Sequence, residues 1–341
     1  MSFGQVHKGE SEQGAKLLEA IFEAWRAEGL EFLVLRNYDK LPLDAGNDLD
    51  VLVELKSRAK AEALVLATAE TFGYTLVNRA EFSPVSLYLC SKETGHVLQI
   101  DLFASLAWRG FMMLGADAVL GRRQARKTFF VPHPVDEAAL NLLTRLLYTG
   151  RVKAAYRDGI ASIFSANEAL AQQVLRPLFG TAAERVVELA AAQDWRALEG
   201  QTTYLRYKLA SRQLTLSPVK TLSSFVSDIK RLSARLRHPP GLAIAVDEQF
   251  NRAALGELER RLAAIFDGVE IAEEPKTWLA ARRIFIASYL ALFRNRAQVY
   301  YGWIPKGRLT PNMNVIDIKA VQLDAVIDSC FKVSETRVSQ R

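Results

Sequence analysis

The chain has 341 residues, half of them hydrophobic and 24% charged, with a net charge of +6. That length and mixture suit a buried core in two or three domains and exclude a disordered chain. The N-terminal stretch MSFGQVHKGESEQGAK has no apolar segment, and the longest clean apolar run, residues 285–293, is far too short for a bilayer, so neither a leader nor a membrane span is expected. Cys90 and Cys330 are far apart and sit in apolar surroundings, which argues against a zinc site and against a disulfide in a cytoplasmic chain. The charge is uneven. Residues 201–341 hold 22 Lys and Arg against 13 Asp and Glu, a net +9, which leaves −3 for residues 1–200. A basic C-terminal part could meet nucleic acid, an anionic membrane or a phosphorylated substrate, or could be an ordinary solvated surface.

In chain order, an amphipathic helix is predicted over 14–29, with Leu17, Leu18, Ile21, Phe22 and Trp25 on one face. The run FLVL at 32–35 suits a buried strand. The polar stretch RNYDKLPLDAGN follows, with turn signals at Pro42 and Gly46. A strand over 49–55, a helix over 58–72 and strands over 86–90 and 97–103 complete a compact α/β unit. Pro132 and Pro134 mark a boundary. Asp136 is the expected N-cap of a helix whose stripe is Ala139, Leu142, Leu143, Leu146 and Leu147, ending at Gly150. Helical pattern continues to about residue 236, broken near Gly180 and Gly200. Pro239-Pro240-Gly241 then punctuates the chain before a strand over 242–246 and a helix over 255–266. The reading is an α/β protein in three parts: 1–130, a helical section 131–238, and 239–341.

The segment GNDLDVLVEL carries the chemistry. Side chains two apart in a strand share a face, so Asp48 and Asp50 lie together while Leu49, Val51 and Val53 face the other way. Two adjacent carboxylates repel unless a cation compensates, and Mg²⁺ (or Mn²⁺) takes such oxygen ligands while keeping waters and phosphates. Asp101 is the lone charge inside VLQIDLF, costly there unless paired or metal-bound. An isolated D-x-D is more often a turn residue and a solvated edge residue; the third Asp in a later strand points to metal.

These motifs resemble the DNA polymerase β-like nucleotidyltransferase superfamily, in which a D-x-D strand is joined by a third carboxylate on a later strand. LVLRNYDKLP, GNDLDVLV, LQIDLFASLAWRG and ALNLLTRLLYTGRVKAAYRD look like a bacterial group often fused to thymidylate kinase-like domains and encoded near exopolysaccharide biosynthesis genes, over about residues 30–160. The resemblance implies a metal-dependent nucleotidyltransferase that moves a nucleotidyl group from an NTP donor to a sugar, glycan intermediate or protein acceptor. Asp48 and Asp50 would bind metal, and Asp101 would bind a second ion or act as the base. Where most of that superfamily has a Gly-Ser pair for the triphosphate, this chain has Leu35-Arg36-Asn37. Arg36, with Asn37, is therefore expected either to bind phosphate or to pair with a carboxylate.

Other positions have two readings each. Arg109 in Trp108-Arg109-Gly110 could reach substrate while Trp108 stacks on a base or sugar, or the Trp could pack on the helical section. Lys153, Tyr156 and Arg157 could face the cleft or form a solvated helix face. His96 and His133 are assigned no metal or catalytic role. HPPGLAIAVDEQFNRAALGELERRLAAIF has the strand–loop–helix frame of a P-loop domain, and ARRIFIASYLALFRNRAQVYYGWIPKGR resembles part of thymidylate kinase-like proteins. The loop DEQFNRAAL lacks the Gly, Lys and Ser/Thr that hold phosphate, so residues 239–341 read as a degenerate P-loop kinase-like module for packing, dimerisation or partner binding. Residues 219–238 form a basic amphipathic stretch. It is expected to be a connector packed on its own protein, with peripheral contact to an anionic membrane as the alternative. The protein is expected in the cytoplasm or at the inner face of the membrane. A non-catalytic scaffold or regulator of a polysaccharide assembly machine is the rival function. An RNA-end nucleotidyltransferase ranks last, for want of any RNA-reading motif.

Overall fold

Leu17, Leu18, Ile21, Phe22 and Trp25 recur at helical spacing and are at most 1% exposed, so α1 (Glu12–Ala27) forms to bury that stripe. Ser11 caps it, accepting from the Gly14 N–H at 3.1 Å. The computed structural model describes residues 11–46, 48–91, 93–237, 239–246, 255–303 and the backbone of 316–318. After α1 come β1 (Phe32–Val34), β2 (Leu49–Val53), α2 (Arg58–Thr71), β3 (Tyr74–Glu81), β4 (Val85–Ser91) and β5 (Val97–Phe103). The five strands form one sheet in the order β1-β2-β5-β4-β3, with β2 and β5 parallel and the other pairs antiparallel. Helices α1 and α2 cover one face, burying Val51, Val53, Leu87 and Ile100, and the Trp25 indole donates to the Ala61 carbonyl at 3.1 Å.

β3 corrects the predicted element order, which passed from helix directly to the strand at 86–90. A register shift between Leu76 and Asn78 breaks its alternation, so Val77 and Ala80, three apart, bury in the same core. One face of this strand also carries Arg79, paired with Glu62 at 2.6 Å, which further hides the pattern.

The other face of the sheet lies under two different units. One begins with the hairpin β6 (Leu106–Trp108) and β7 (Phe111–Leu114), then α3 (Ala116–Gly121) and a second hairpin, β8 (Gln124–Arg126) and β9 (Phe129–Val131). It continues through α4 (Pro134–Thr149), α5 (Ala154–Ala166), α6 (Glu168–Phe179), α7 (Ala182–Ala191), α8 (Trp195–Gly200), α9 (Thr202–Leu216) and α10 (Pro218–Arg237). Its core includes Leu106, Met113, Leu142, Leu146, Phe164 and Leu205, and reaches the sheet at Leu33 and Leu52. His133, rather than the expected Asp136, caps α4: its ring accepts from the Val135 N–H at 3.2 Å and Pro134 opens the helix. Asp136 lies inside the first turn, 1% exposed, and takes the Arg122 guanidinium on both oxygens at 2.6 and 2.9 Å.

The second unit holds β10 (Leu242–Val246), α11 (Leu255–Ala263), β11 (Val269–Ala272), α12 (Trp278–Phe293), β12 (Ala297–Tyr301) and β13 (Ile316–Ile318). Its four strands are parallel, in the order β11-β12-β10-β13. The helix predicted to end at residue 266 ends at Ala263. Gly241 is required at the entry to β10, because a Cβ there would lie 2.4 Å from the Arg296 carbonyl oxygen. The loop residues 247–254, on which the phosphate-loop reading rests, lie outside the described residues. Ile244, Leu258 and Val299 share a core with Val77, Tyr88 and Cys90. The β1–β2 edge of the sheet thus sits under helices and the β3–β4 edge under this parallel unit. β2 and β5, at the centre, carry the predicted carboxylates.

Candidate metal centre

The alternation of β2 turns Leu49, Val51 and Val53 toward α1 and α2, which leaves Asp50 on the opposite face with Leu52. β5 runs parallel beside it in a register that places Asp50 directly against Asp101. Asp48 precedes β2 by one residue. The three side chains offer carboxylate oxygens that all lie within 4.8 Å of one another, and among the described residues they are the one such group that could hold a metal ion. Asp50 is 2% exposed and Asp101 8%. Asp50 Oδ1 is buried with no hydrogen-bond partner among the described residues. A buried carboxylate oxygen without a donor is costly. Hard oxygens at this spacing fit a divalent cation such as Mg²⁺ or Mn²⁺.

Arg36 is the local counter-charge. The Leu35 N–H donates to the Asp50 carbonyl at 2.9 Å, which continues the β1–β2 pairing by one step and delivers Arg36 to the carboxylates. Its Nε donates to Asp50 Oδ2, and its Nη2 lies 3.7 Å from Asp48 Oδ2. Arg36 therefore pairs with both carboxylates here. Burial pushes the Asp50 carboxyl up to about 6; Arg36 opposes this, and Asp48 and Asp101 add to it. Burial also raises Asp101, against hydrogen bonds from Ser86 and Gln99 and with the added repulsion of Asp48 and Asp267. Gln99 Nε2 donates to Asp101 Oδ1 at 3.2 Å.

A cavity of about 320 Å³ opens beside this cluster, lined by Arg36, Asp50, Asn141, Thr144, Arg145, Tyr148 and Tyr156. Residues 141, 144, 145 and 148 fall at helical spacing on α4, opposite its apolar stripe, so the sequence held a signal for this wall that the motif reading passed over. Tyr156 faces the cleft and its neighbour Arg157 does not: the Arg157 guanidinium donates to Glu199 at 2.7 Å. Asn37 is exposed, in left-handed backbone with φ 58°, and does not line this cavity. Arg109 is also exposed, with φ 49°, and its guanidinium lies 5.5 Å from the Trp108 ring. Trp108 is 8% exposed and belongs to the helical core, so it is a packing residue and offers no stacking platform.

The parallel unit adds a contact that no local motif announces. Asp267 accepts from the Tyr88 hydroxyl at 3.0 Å. Asn295, left-handed at φ 60° just beyond α12, donates to Tyr88 at 3.0 Å and accepts from Asn78 at 2.8 Å. This network fastens the parallel unit to β3 and β4 and brings Asp267 close enough to act electrostatically on Asp101. Compared with known proteins, the chain matches no family model, no curated protein and no solved structure, so the reading of this centre rests on its own geometry.

Proposed function

We propose that the chain is a metal-dependent nucleotidyltransferase, using an NTP as donor and a sugar, glycan intermediate or protein as acceptor, in polysaccharide biosynthesis. The observation that carries the reading is the pairing of Asp50 with Asp101 across parallel strands, with Asp48 alongside and Asp50 Oδ1 buried without a partner. Asp48, Asp50 and Asp101 would hold the divalent ion or ions, which when bound neutralise phosphate charge and favour attack by a hydroxyl. Arg36 supplies five guanidinium donors at the cavity wall and would turn them to the donor's phosphate oxygens. Asp101, held by Ser86 and Gln99, would take the acceptor's proton or complete the metal set. Tyr148, Tyr156 and Asn141 offer hydroxyl and amide groups for orienting substrate. The parallel C-terminal strands support the kinase-like frame read from residues 239–341, whose role would be packing against the sheet.

A non-catalytic scaffold is the second reading, and one observation favours it: Arg36 already pairs with both Asp50 and Asp48. The deciding measurement is the melting temperature with each NTP and Mg²⁺ or Mn²⁺, for the native chain and for Asp48→Asn/Asp50→Asn. A ligand that binds only the folded state raises its apparent stability. A metal-dependent rise with one NTP, lost in the variant, supports the enzyme and names the donor. No rise with any NTP, in a sample that melts cooperatively, transfers the reading to the scaffold.

A further inference from the structure

The helix α10 is fastened at both ends and turned inside out between them. Near its start, Phe225 stacks edge-on against Phe111 with ring centroids 5.1 Å apart, over Gly110, where a Cβ would meet the Phe225 ring at 2.8 Å. Near its end, the Arg235 guanidinium lies 4.1 Å from the Phe82 ring centroid and 4.2 Å from that of Phe293, and donates to the Phe293 carbonyl. Thr221 is the helix's one buried residue. Asp228, Arg231 and Arg235, on the same side as Thr221, are part-buried. The apolar stripe faces out instead: Leu222 and Ile229 are each 65% exposed, and Val226, Leu232 and Leu236 between 42% and 47%. The helix is packed on its own protein, as expected of a connector, but through Phe225 and Arg235 rather than through the centre of the stripe. A soluble surface seldom carries five apolar side chains along one helix face unless they meet something.

Charge selects the partner. The exposed cations of α10 are Lys220, Lys230 and Arg237, whereas Arg231 pairs with Asp228, the helix's single acid, and Arg235 is held between Phe82 and Phe293. Lys220 and Lys230 are exposed, and Lys230 flanks the stripe, where a lysine stem can lie along apolar surface while its ammonium meets phosphate. A second copy of this chain would bring the same exposed cations against the first, and the repulsion would oppose pairing. An anionic lipid surface reverses that sign. An outward apolar stripe, exposed cations beside it and no long apolar run are the features of a helix that lies in the membrane interface rather than crossing it. No helix among the described residues is long and apolar enough to span a bilayer. We propose that α10 is a membrane-docking helix that seats the protein on an anionic lipid surface. This rests on the helix alone and stands whether or not the carboxylate centre is an enzyme.

The test is co-sedimentation of the full chain with vesicles of neutral phosphatidylcholine and of phosphatidylcholine mixed with phosphatidylglycerol, with gel filtration in parallel. The native chain is expected to pellet with the anionic vesicles and to be released as salt rises. Lys220→Ala/Lys230→Ala is expected to lower partitioning about 30-fold, each cation near such a surface being worth about fivefold. Leu222→Gln/Ile229→Gln is expected to abolish it with the melting temperature unchanged, since both side chains are already in solvent. Equal binding to both vesicle types, or anionic binding that survives Leu222→Gln/Ile229→Gln, overturns the proposal. So does a native dimer that fails to bind vesicles and that Leu222→Gln/Ile229→Gln converts to monomer, which would assign the stripe to a second copy.

Discussion

Asp50→Asn should make the metal-free protein more stable while removing its capacity for metal. Asp50 binds its proton more tightly in the folded chain, where its carboxyl titrates at about 6, than in the unfolded chain at about 3.8. Between those values the folded state holds more protons, so stability falls as pH rises, and above about 6 the loss is complete. A displacement of roughly two units at about 1.4 kcal/mol each gives about 3 kcal/mol that ionised Asp50 costs the fold at pH 7.5. Asparagine keeps an acceptor for the Arg36 Nε but deprives that guanidinium of a charge, with Asp48 still 3.7 Å away, so a net gain of about 1–2 kcal/mol remains. The assay is thermal or urea unfolding in chelator at pH 7.5 and at pH 5. The variant should melt higher than the native chain at pH 7.5, and the gap should shrink at pH 5. Adding Mn²⁺ should raise the native chain and leave the variant unmoved. A variant that melts below the native chain at both pH values in chelator would refute the argument, because Asp50 would then be a net stabilising partner of Arg36.

Three further outcomes follow from the same geometry. Arg36→Ala should destabilise the chelated protein at pH 7.5 by about 1–2 kcal/mol in urea unfolding, the site being 39% exposed at Arg36 and partly screened, and divalent metal should restore most of the loss. Metal binding needs Asp50 ionised, so Mn²⁺ affinity measured by titration calorimetry should be flat above about pH 6 and fall about tenfold per unit below it; a flat profile down to pH 5 would remove Asp50 from the ligand set. Asn295→Ala strips donors and acceptors from buried Tyr88 and Asn78 and should cost about 1–3 kcal/mol, visible as faster hydrogen exchange in β3, β10 and β12.

The carboxylate centre was legible because its signal is local. Asp48 lies just before β2 and Asp50 within it, with Leu49, Val51 and Val53 on the other face, and Asp101 interrupts a run that is otherwise apolar apart from Gln99. The parallel register that brings Asp50 to Asp101 is the non-local step, and no spacing in the chain specifies it. β3 was hidden for the opposite reason: its bulge destroys the period of two that identifies a strand. Asn295 illustrates a third limit. An asparagine just past a helix reads as a cap, and this one is in the left-handed backbone a cap uses, yet its side chain is spent on Tyr88 and Asn78 more than 200 residues earlier.

The case of α10 separates what periodicity measures from what it is taken to mean. A helical moment in the sequence fixes which residues share a face, and Leu222, Val226, Ile229 and Leu236 do share one. It carries no direction relative to the rest of the chain. The assumption that an apolar face turns inward holds only where the remaining protein offers apolar surface to receive it. Here the protein side of the helix is set by two aromatic fastenings, Phe225 on Phe111 and Arg235 between Phe82 and Phe293, neither of which lies at the centre of the stripe. Those contacts rotate the helix so that Thr221, Asp228, Arg231 and Arg235 meet the protein. The direction of an amphipathic helix is therefore a property of its anchors, and in this chain the anchors leave the apolar face for a partner outside the fold.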